Sequence, residues 1–428
     1  MGIEELHHLF LNSKGVSTDT RTLRPGNLFF ALKGINFNAN KFAKKALKLG
    51  ASYSVVDEKS DSHSEQLILV DDVLKSLQKL AAFHRKYLGI PIIALTGSNG
   101  KTTTKELISS ALSHRYNIHS TDGNLNNHIG VPLTLLQMDE STEIGVVEMG
   151  ANHIGEIAAL CEIASPTHGY ITNFGKAHLE GFGSESGVIK GKSELYNYLK
   201  VRDGLIFANK DDTIQLKQIG SYKNIYTFSN YSRSSDLQLS KSLNRSFLKL
   251  EYDGFSIQSQ LIGSYNFSNL AASILIARFF EVKNQIIKKG IESYNPENNR
   301  SQIIKKGSNT FILDAYNANP SSMLAALENF NQMKSKSKAI ILGDMFELGI
   351  QSNFEHQALI DKVTSLNFSR VYFVGANFYE LAPDLSNELF FETTESFQKK
   401  LKSLVFKDTL VLIKGSRGMA LETLLEFF

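Results

Sequence analysis

The stretch Ile92-Ile93-Ala94-Leu95-Thr96-Gly97-Ser98-Asn99-Gly100-Lys101-Thr102-Thr103-Thr104 leaves this chain few folds to choose from. Its apolar start reads as a buried strand and its glycines as a tight turn. Leu107, Ile108, Ala111 and Leu112 then give the following helix one apolar face. A strand, a glycine-rich loop and a helix in that order make an anion site, because backbone N–H groups at the helix N-terminus point at the ligand and the helix dipole favours negative charge. Gly97 and Gly100 permit the close backbone approach that a phosphate requires. Lys101 adds a cation for the β- and γ-phosphates, and the Thr102 hydroxyl suits magnesium. The loop has the form Gly-x-x-Gly-Lys-Thr, with Leu95 where the commoner pattern carries another glycine. A nucleoside triphosphate site from Gly97 to Thr102 is expected, with ATP and magnesium as its occupants.

The remaining sequence supplies a frame for that loop. A chain of 428 residues exceeds one ordinary core, so two to three domains are expected. Up to Leu88, residues Asn27 to Leu32 read as a buried strand, Asn40 to Leu49 as a helix, and Asp72 to Tyr87 as a connecting helix that Gly89-Ile90-Pro91 ends. From Pro91 on, apolar runs from Ile92 to Leu95, Ile144 to Val147, Tyr170 to Thr172 and Leu205 to Ala208 alternate with helical stretches, including one from Lys192 to Leu199. This alternation predicts an α/β fold with a mostly parallel sheet. A second alternation begins near Arg300, with strands from Thr310 to Leu313, Ala339 to Leu342, Val371 to Val374 and Leu410 to Ile413. Helices are expected after Pro320, Phe354 and Gly418. Asp314, Asp344 and Lys414 stand at strand ends, where open parallel sheets bind ligands.

Charge and cysteine content exclude other classes. Lys+Arg 46 against Asp+Glu 43 leaves +3, with no dense basic run, so nucleic acid is a poor partner. The single cysteine, Cys161, allows no internal disulfide, fits a reducing compartment, and reads as a small buried residue in an apolar helix. No run of some 18 apolar residues occurs, and the first residues are acidic without a long apolar stretch. A soluble, cytoplasmic protein without signal peptide or membrane span is expected.

A triphosphate site also needs an acid for its metal, often at a neighbouring strand end. Ile144-Gly145-Val146-Val147-Glu148 supplies one in Glu148. His178, in Asn173-Phe174-Gly175-Lys176-Ala177-His178-Leu179-Glu180, follows the next strand; by itself it reads as a packed or solvated histidine.

At these residues the chain resembles a known family, the Mur ligases of peptidoglycan synthesis. Thr96-Gly97-Ser98-Asn99-Gly100-Lys101-Thr102-Thr103 is similar to that family's shortened phosphate loop. Ser17-Thr18-Asp19-Thr20-Arg21 with Pro25-Gly26-Asn27-Leu28-Phe29-Phe30-Ala31-Leu32, Gly123-Asn124-Leu125-Asn126-Asn127-His128-Ile129-Gly130-Val131-Pro132, and Asp314-Ala315-Tyr316-Asn317-Ala318-Asn319-Pro320 resemble the branch that handles D-alanyl-D-alanine. The resemblance implies three domains: 1–88 binding the UDP-substrate, 89–297 binding ATP on a phosphate-loop parallel sheet, and 298–428, Rossmann-like, receiving the incoming dipeptide. It implies an ATP-dependent ligase that turns the terminal carboxylate of UDP-N-acetylmuramoyl-tripeptide into an acyl phosphate. The D-alanyl-D-alanine amine attacks that group, and ADP and phosphate are released. It further implies that Lys101 and Thr102 serve the triphosphate and that Thr102, Glu148 and His178 are metal ligands. Lys192, in Gly191-Lys192-Ser193-Glu194, takes the position of a carbamylated lysine that helps hold a second magnesium. Asn266 and Asn269 fall on the adenine side, in a stretch where Tyr265 stands in place of a frequent histidine. Arg300 and Asp314 embrace the ATP from the third domain, so domain closure is implied. Asn317, Asn319, Lys414, Ser416 and Arg417 are implied for the acceptor or product, and Arg21, Thr121, Asn126 and Asn127 for the UDP-sugar. A monomer is expected.

Without the resemblance, Lys192 reads as a solvated helix lysine, Arg300 and Asp314 as surface polar groups, and Asn317 and Asn319 as turn residues before the helix near Pro320. A sister ligase adding one amino acid to the same nucleotide, or glutamate to a folate, is the nearest alternative activity. A phosphotransferase and a non-catalytic nucleotide-dependent module are the alternatives of other classes.

Overall fold

The computed structural model describes residues 1–59, 64–244, 247–366, 368–382 and 389–428. Near the N-terminus, Val16–Ser17, Leu28–Phe30, Tyr53–Val56 and Leu67–Leu69 form a parallel sheet in that order. Leu28, Phe29 and Phe30 are all buried because both faces of their strand are covered. Phe29 packs with Ala39, Ala43 and Ala46, while Leu28 and Phe30 join the core of the helix Val73–Leu88 through Leu77 and Leu80. Asp72 starts that helix by accepting the Lys75 N–H, and Gly89, at φ 64, ends it in the left-handed conformation that glycine adopts freely.

The phosphate-loop strand, Ile92–Thr96, lies inside a seven-stranded, all-parallel sheet. Its neighbours are Ile144–Glu148 on one side and His168–Ile171 on the other, strands that follow it in the chain, so it sits where the strand order reverses. Both expected flanking strands are present. The helix Lys101–Leu112 buries Leu107, Ile108, Ala111 and Leu112 completely, against a core shared with the helix Phe267–Phe279. Cys161 is fully buried in the helix Glu156–Ala164, and burial raises its thiol pKa far above the ordinary value.

The third large sheet runs Gln302–Lys306, Asn309–Asp314, Thr409–Lys414, Ser337–Gly343, Arg370–Val374, Phe390–Phe391. All neighbours are parallel except the first pair. Three features depart from the sequence reading. Ser240–Asn244, Phe247–Tyr252 and Phe255–Ile262 form an antiparallel three-stranded sheet that was not anticipated. Gln302–Lys306 adds an antiparallel edge. The expected helix after Gly418 is instead a pair of 3₁₀ segments, Arg417–Met419 and Leu421–Phe427. Leu421 and Leu424 there plug the sheet's core, so packing at 3₁₀ spacing overrides helical propensity. Among the described residues no helix is long and apolar enough to cross a membrane.

A partly buried histidine contributes to acid sensitivity of the fold. His168 stacks on Phe207, meets the ring of Phe279 edge-on, and burial pushes its pKa down to about 4. The folded chain keeps this ring neutral between pH 6.5 and about 4 while the unfolded chain takes up a proton, so stability falls as pH drops through that window. Between neutral pH and pH 4.5 the wild-type chain should lose about 2 kcal/mol more stability than His168→Phe, read from urea unfolding midpoints.

Candidate active site

The loop after Thr96 is held by the end of the neighbouring strand. Ser98 Oγ donates to the Gly175 carbonyl at 2.6 Å, the Asn99 N–H donates to Asn173 Oδ1 at 3.1 Å, and Thr172 Oγ1 donates to the Asn99 carbonyl at 2.6 Å. Gly97, at φ 140, brings its Cα so close to Thr172 that a Cβ there would fall 2.0 Å from Thr172 Oγ1. Gly100, at φ 80, opens the helix Lys101–Leu112, and a Cβ on it would fall 2.6 Å from Asn269 Oδ1. Lys101 Nζ reaches back to the Gly97 carbonyl at 2.7 Å; burial lowers its pKa, and Arg300 lowers it further against the opposing pull of Glu148.

This loop walls a cavity of about 1010 Å³. Ser98, Asn99, Gly100, Lys101, Thr102 and Thr103 line it, as do Asn266 and Asn269. Asn269 ties the two groups together: its Oδ1 accepts from Thr104 Oγ1 at 3.1 Å, and its Nδ2 donates to Asn266 Oδ1 at 2.8 Å. Thr96 and Gly97 do not line the cavity. Thr96 is a fully buried strand residue, and Gly97 serves through its backbone bend.

Glu148 and His178 both face the same space. Glu148 is buried; its Oε1 accepts from Asn126 Nδ2 at 2.8 Å, and its backbone N–H donates to Thr121 Oγ1 at 2.9 Å. Its Oε2 is buried without a hydrogen-bond partner. An orphaned carboxylate oxygen beside a phosphate loop fits a hard dication, whose ligands are oxygens. His178 Nδ1 lies against the Glu347 carboxylate, off the line of an ideal hydrogen bond. The described residues contain no ready-made cluster of three histidine, cysteine, aspartate or glutamate ligands. Asn127 lines the cavity too, while its Oδ1 accepts the N–H groups of Ile129 and Gly130 at the entry to the helix Gly130–Leu135.

Lys192 is not the solvated lysine of the plain sequence reading. It is fully buried, over the Phe182 ring at 5.0 Å, with Nζ donating to the Ala151 carbonyl at 2.9 Å. Burial, reinforced by Lys101, holds its pKa well below the usual lysine value. It stands behind Ala151, which lines the cavity, rather than in the lining itself.

The opposite wall comes from the C-terminal sheet. Arg300 stacks over Tyr316 at 3.7 Å, and Lys414 Nζ donates to Asp314 Oδ2 at 2.6 Å and to the Asn317 carbonyl at 3.3 Å. Arg300, Asp314, Asn317 and Lys414 all line the cavity that Lys101 lines. Tyr265 shares a 2.9 Å hydrogen bond with Ser301 Oγ, so it joins the two walls.

Several expected ligand contacts are absent from this space. Arg21 is exposed and pairs with Asp19. Thr121 is buried beneath Glu148, and Asn319 caps the helix Pro320–Gln332 while donating to Asn99 Oδ1 at 2.8 Å. Ser416 accepts the Phe346 N–H at 3.0 Å, and Arg417 pairs with Glu422 on the surface. Asp344 turns inward, its carboxylate accepting the N–H groups of Asn377 and Phe378. Asn173, Tyr316 and Glu347 were missed by the sequence reading. The strand-end position of the loop Gly343 to Gly349 was the available signal for the last.

A profile of the Mur ligase middle domain matches residues 95–277, and one of the Mur ligase, glutamate ligase domain matches residues 299–417. The chain is 33% identical over 425 residues to the UDP-N-acetylmuramoyl-tripeptide–D-alanyl-D-alanine ligase of Bacillus subtilis, spanning 96% of this chain and 92% of that one. It is 33% identical over 428 residues to the Escherichia coli protein of the same name, spanning 98% and 94%. The crystal structure of MurF from Acinetobacter baumannii superposes with a TM-score of 0.87 at 30% identity, covering 98% of this chain and 97% of that one. The MurF ligase from Thermotoga maritima, in complex with ADP, does so at 0.84 and 27% identity, with coverage of 98% and 97%.

The geometry at Gly100 generates a direct check. An alanine there meets both a left-handed backbone and Asn269, and the backbone term alone costs about 1–2 kcal/mol. Gly100→Ala should weaken ATP binding by roughly tenfold or more in titration calorimetry.

Proposed function

The chain belongs to the Mur ligase family, and from that premise we propose that it joins D-alanyl-D-alanine to UDP-N-acetylmuramoyl-tripeptide, converting ATP to ADP and phosphate. It is an ATP-dependent ligase that forms a carbon–nitrogen bond. The observation that carries the reading is a single cavity walled by the phosphate loop from one sheet and by Arg300, Asp314 and Lys414 from another. Residues 1–88 bind the UDP-substrate, 89–297 bind ATP and 298–428 receive the dipeptide. The enzyme acts as a cytoplasmic monomer.

Direct amine attack on a carboxylate fails because oxide is a very poor leaving group. Transfer of the γ-phosphoryl group to the peptide's terminal carboxylate makes an acyl phosphate. The dipeptide amine attacks its carbonyl carbon, and phosphate departs from the tetrahedral intermediate as the amine's proton is lost. Lys101 and the N–H groups at the start of its helix hold the β- and γ-phosphates, stabilising charge as it moves to the leaving oxygen. Arg300, kept flat on Tyr316, and Asp314 close over the nucleotide from the other side, while Asn266 and Asn269 flank the adenine. Asn317 and Lys414 face the acceptor, and Asn126 and Asn127 the UDP-sugar's peptide arm. Thr102, Glu148 and His178 would hold magnesium, which when bound supplies a positive centre that neutralises phosphate oxygens. Lys192 would assist a second ion as a carbamate: carbon dioxide adds to the unprotonated Nζ, a proton leaves, and a neutral amine becomes an anion. Its burial and depressed pKa favour the neutral amine that this addition requires.

Two measurements test the reading. ADP release should require D-alanyl-D-alanine and yield inorganic phosphate; dependence on a free amino acid would indicate a sister ligase, and a stable phosphorylated acceptor a kinase. Lys192→Ala should lose nearly all activity and regain part of it with added short-chain carboxylate, whereas wild-type rates in the variant without rescue count against the carbamate.

A further inference from the structure

The ligase chemistry leaves one segment unused, Gly343-Asp344-Met345-Phe346-Glu347-Leu348-Gly349, which follows the strand Ser337–Gly343 and crosses to the phosphate-loop unit. Its base is anchored. The buried Asp344 carboxylate accepts the Asn377 N–H at 3.0 Å and the Phe378 N–H at 3.1 Å, and the Met345 N–H donates to His356 Nε2 at 3.0 Å. From this anchor Glu347 projects at φ 61, a left-handed conformation that a glutamate rarely adopts. Its carbonyl accepts the Glu180 N–H at 3.1 Å, and its carboxylate lies against Nδ1 of His178, itself at φ 52. Two uncommon backbone conformations meeting across a seam indicate that the surroundings, not local preference, hold the pair.

Other contacts cross the same seam. Asn319 donates to Asn99 Oδ1 at 2.8 Å, the Lys176 N–H donates to Ser321 Oγ at 2.8 Å, and Lys176 Nζ pairs with Glu355 at 2.8 Å. Glu347 differs from Glu355 in what it touches: a ring that faces the nucleotide cavity rather than a lysine tethering the two units.

We propose that Glu347 is a positioning residue that the C-terminal unit carries into the ATP site, where it fixes the orientation and tautomer of the His178 ring. Even off the line of an ideal hydrogen bond, a carboxylate this close to Nδ1 favours the ring's proton on that nitrogen by its charge and leaves the Nε2 lone pair free for a cation. Metal affinity in the central unit is thereby coupled to closure by the unit that receives the dipeptide, and by reciprocity a bound metal favours closure. This inference rests on the reading of His178 as a metal ligand.

Mn2+ binding, followed by paramagnetic resonance with a non-hydrolysable ATP analogue and the UDP-tripeptide present, tests it without turnover. Glu347→Ala, which keeps the backbone bond to Glu180, should weaken Mn2+ by about tenfold, the scale of a lost outer-shell partner. Glu355→Ala, cut from the same seam, should change it less than twofold. Adding Glu347→Ala to His178→Ala should produce no further loss. Thermal unfolding at the wild-type midpoint checks that each variant is folded. Wild-type Mn2+ affinity in Glu347→Ala, equal losses in the Glu347 and Glu355 variants, or full additivity with His178→Ala would each overturn the proposal. An unchanged His178→Ala would instead sink the ligand reading on which it stands.

Discussion

A row of hydrogen bonds between the phosphate loop and the end of the next strand fixes the geometry of everything around it. Asn99 is gripped through both its N–H and its carbonyl by Asn173 and Thr172, and Ser98 by the Gly175 carbonyl. A loop of small residues would otherwise sample many conformations, and its amide groups would converge on no single point. Once it is pinned, the helix behind it, the Asn269 bridge and the unpartnered Glu148 oxygen all face one volume. The strand order supplies the space itself, because the loop leaves the sheet where its neighbours diverge to opposite sides.

The second wall of the site depends on a seam where polar contacts join apolar ones, Leu179 and Phe182 sharing a buried cluster with Met323, Met345 and Leu348. Asn99 with Asn319, Lys176 with Glu355 and Tyr265 with Ser301 are contacts between groups that water satisfies nearly as well. These polar contacts each gain little free energy, which suits two units that must admit and release large substrates. Arg300 and Lys101 then share one cavity only because the units are drawn together.

Local patterns were legible in the sequence, and long-range pairings were not. Ile92–Thr96, Lys101–Leu112 and the C-terminal strands announce themselves by apolar runs and helical spacing, and Glu148 by its place at a strand end. Gly97 and Gly100 gave away the loop because few other residues tolerate their backbone angles. The antiparallel strands Ser240–Asn244, Phe247–Tyr252 and Phe255–Ile262 escape a sequence reading because they are rich in serine, lysine and glutamine, with most of their apolar residues on one face. Lys192 shows the limit most clearly. A lysine in an amphipathic helix is exposed on every local rule, and only packing against Phe182 and Ala151, from elsewhere in the chain, seals it in. Thr121, Ser416 and Arg417 show the converse limit, since nothing in their neighbours tells that their polar atoms contact backbone or a local partner.

The lone thiol has a practical consequence. Cys161 is sealed in an apolar helix with its thiolate strongly disfavoured, so the native protein is nearly silent towards maleimides and mild oxidants. Cysteines introduced on the surface, one on each side of the seam, would be the only reactive thiols in the molecule. The chain is thus by nature a clean scaffold for paired spectroscopic labels, and the opening of its two units can be followed without first removing any native residue.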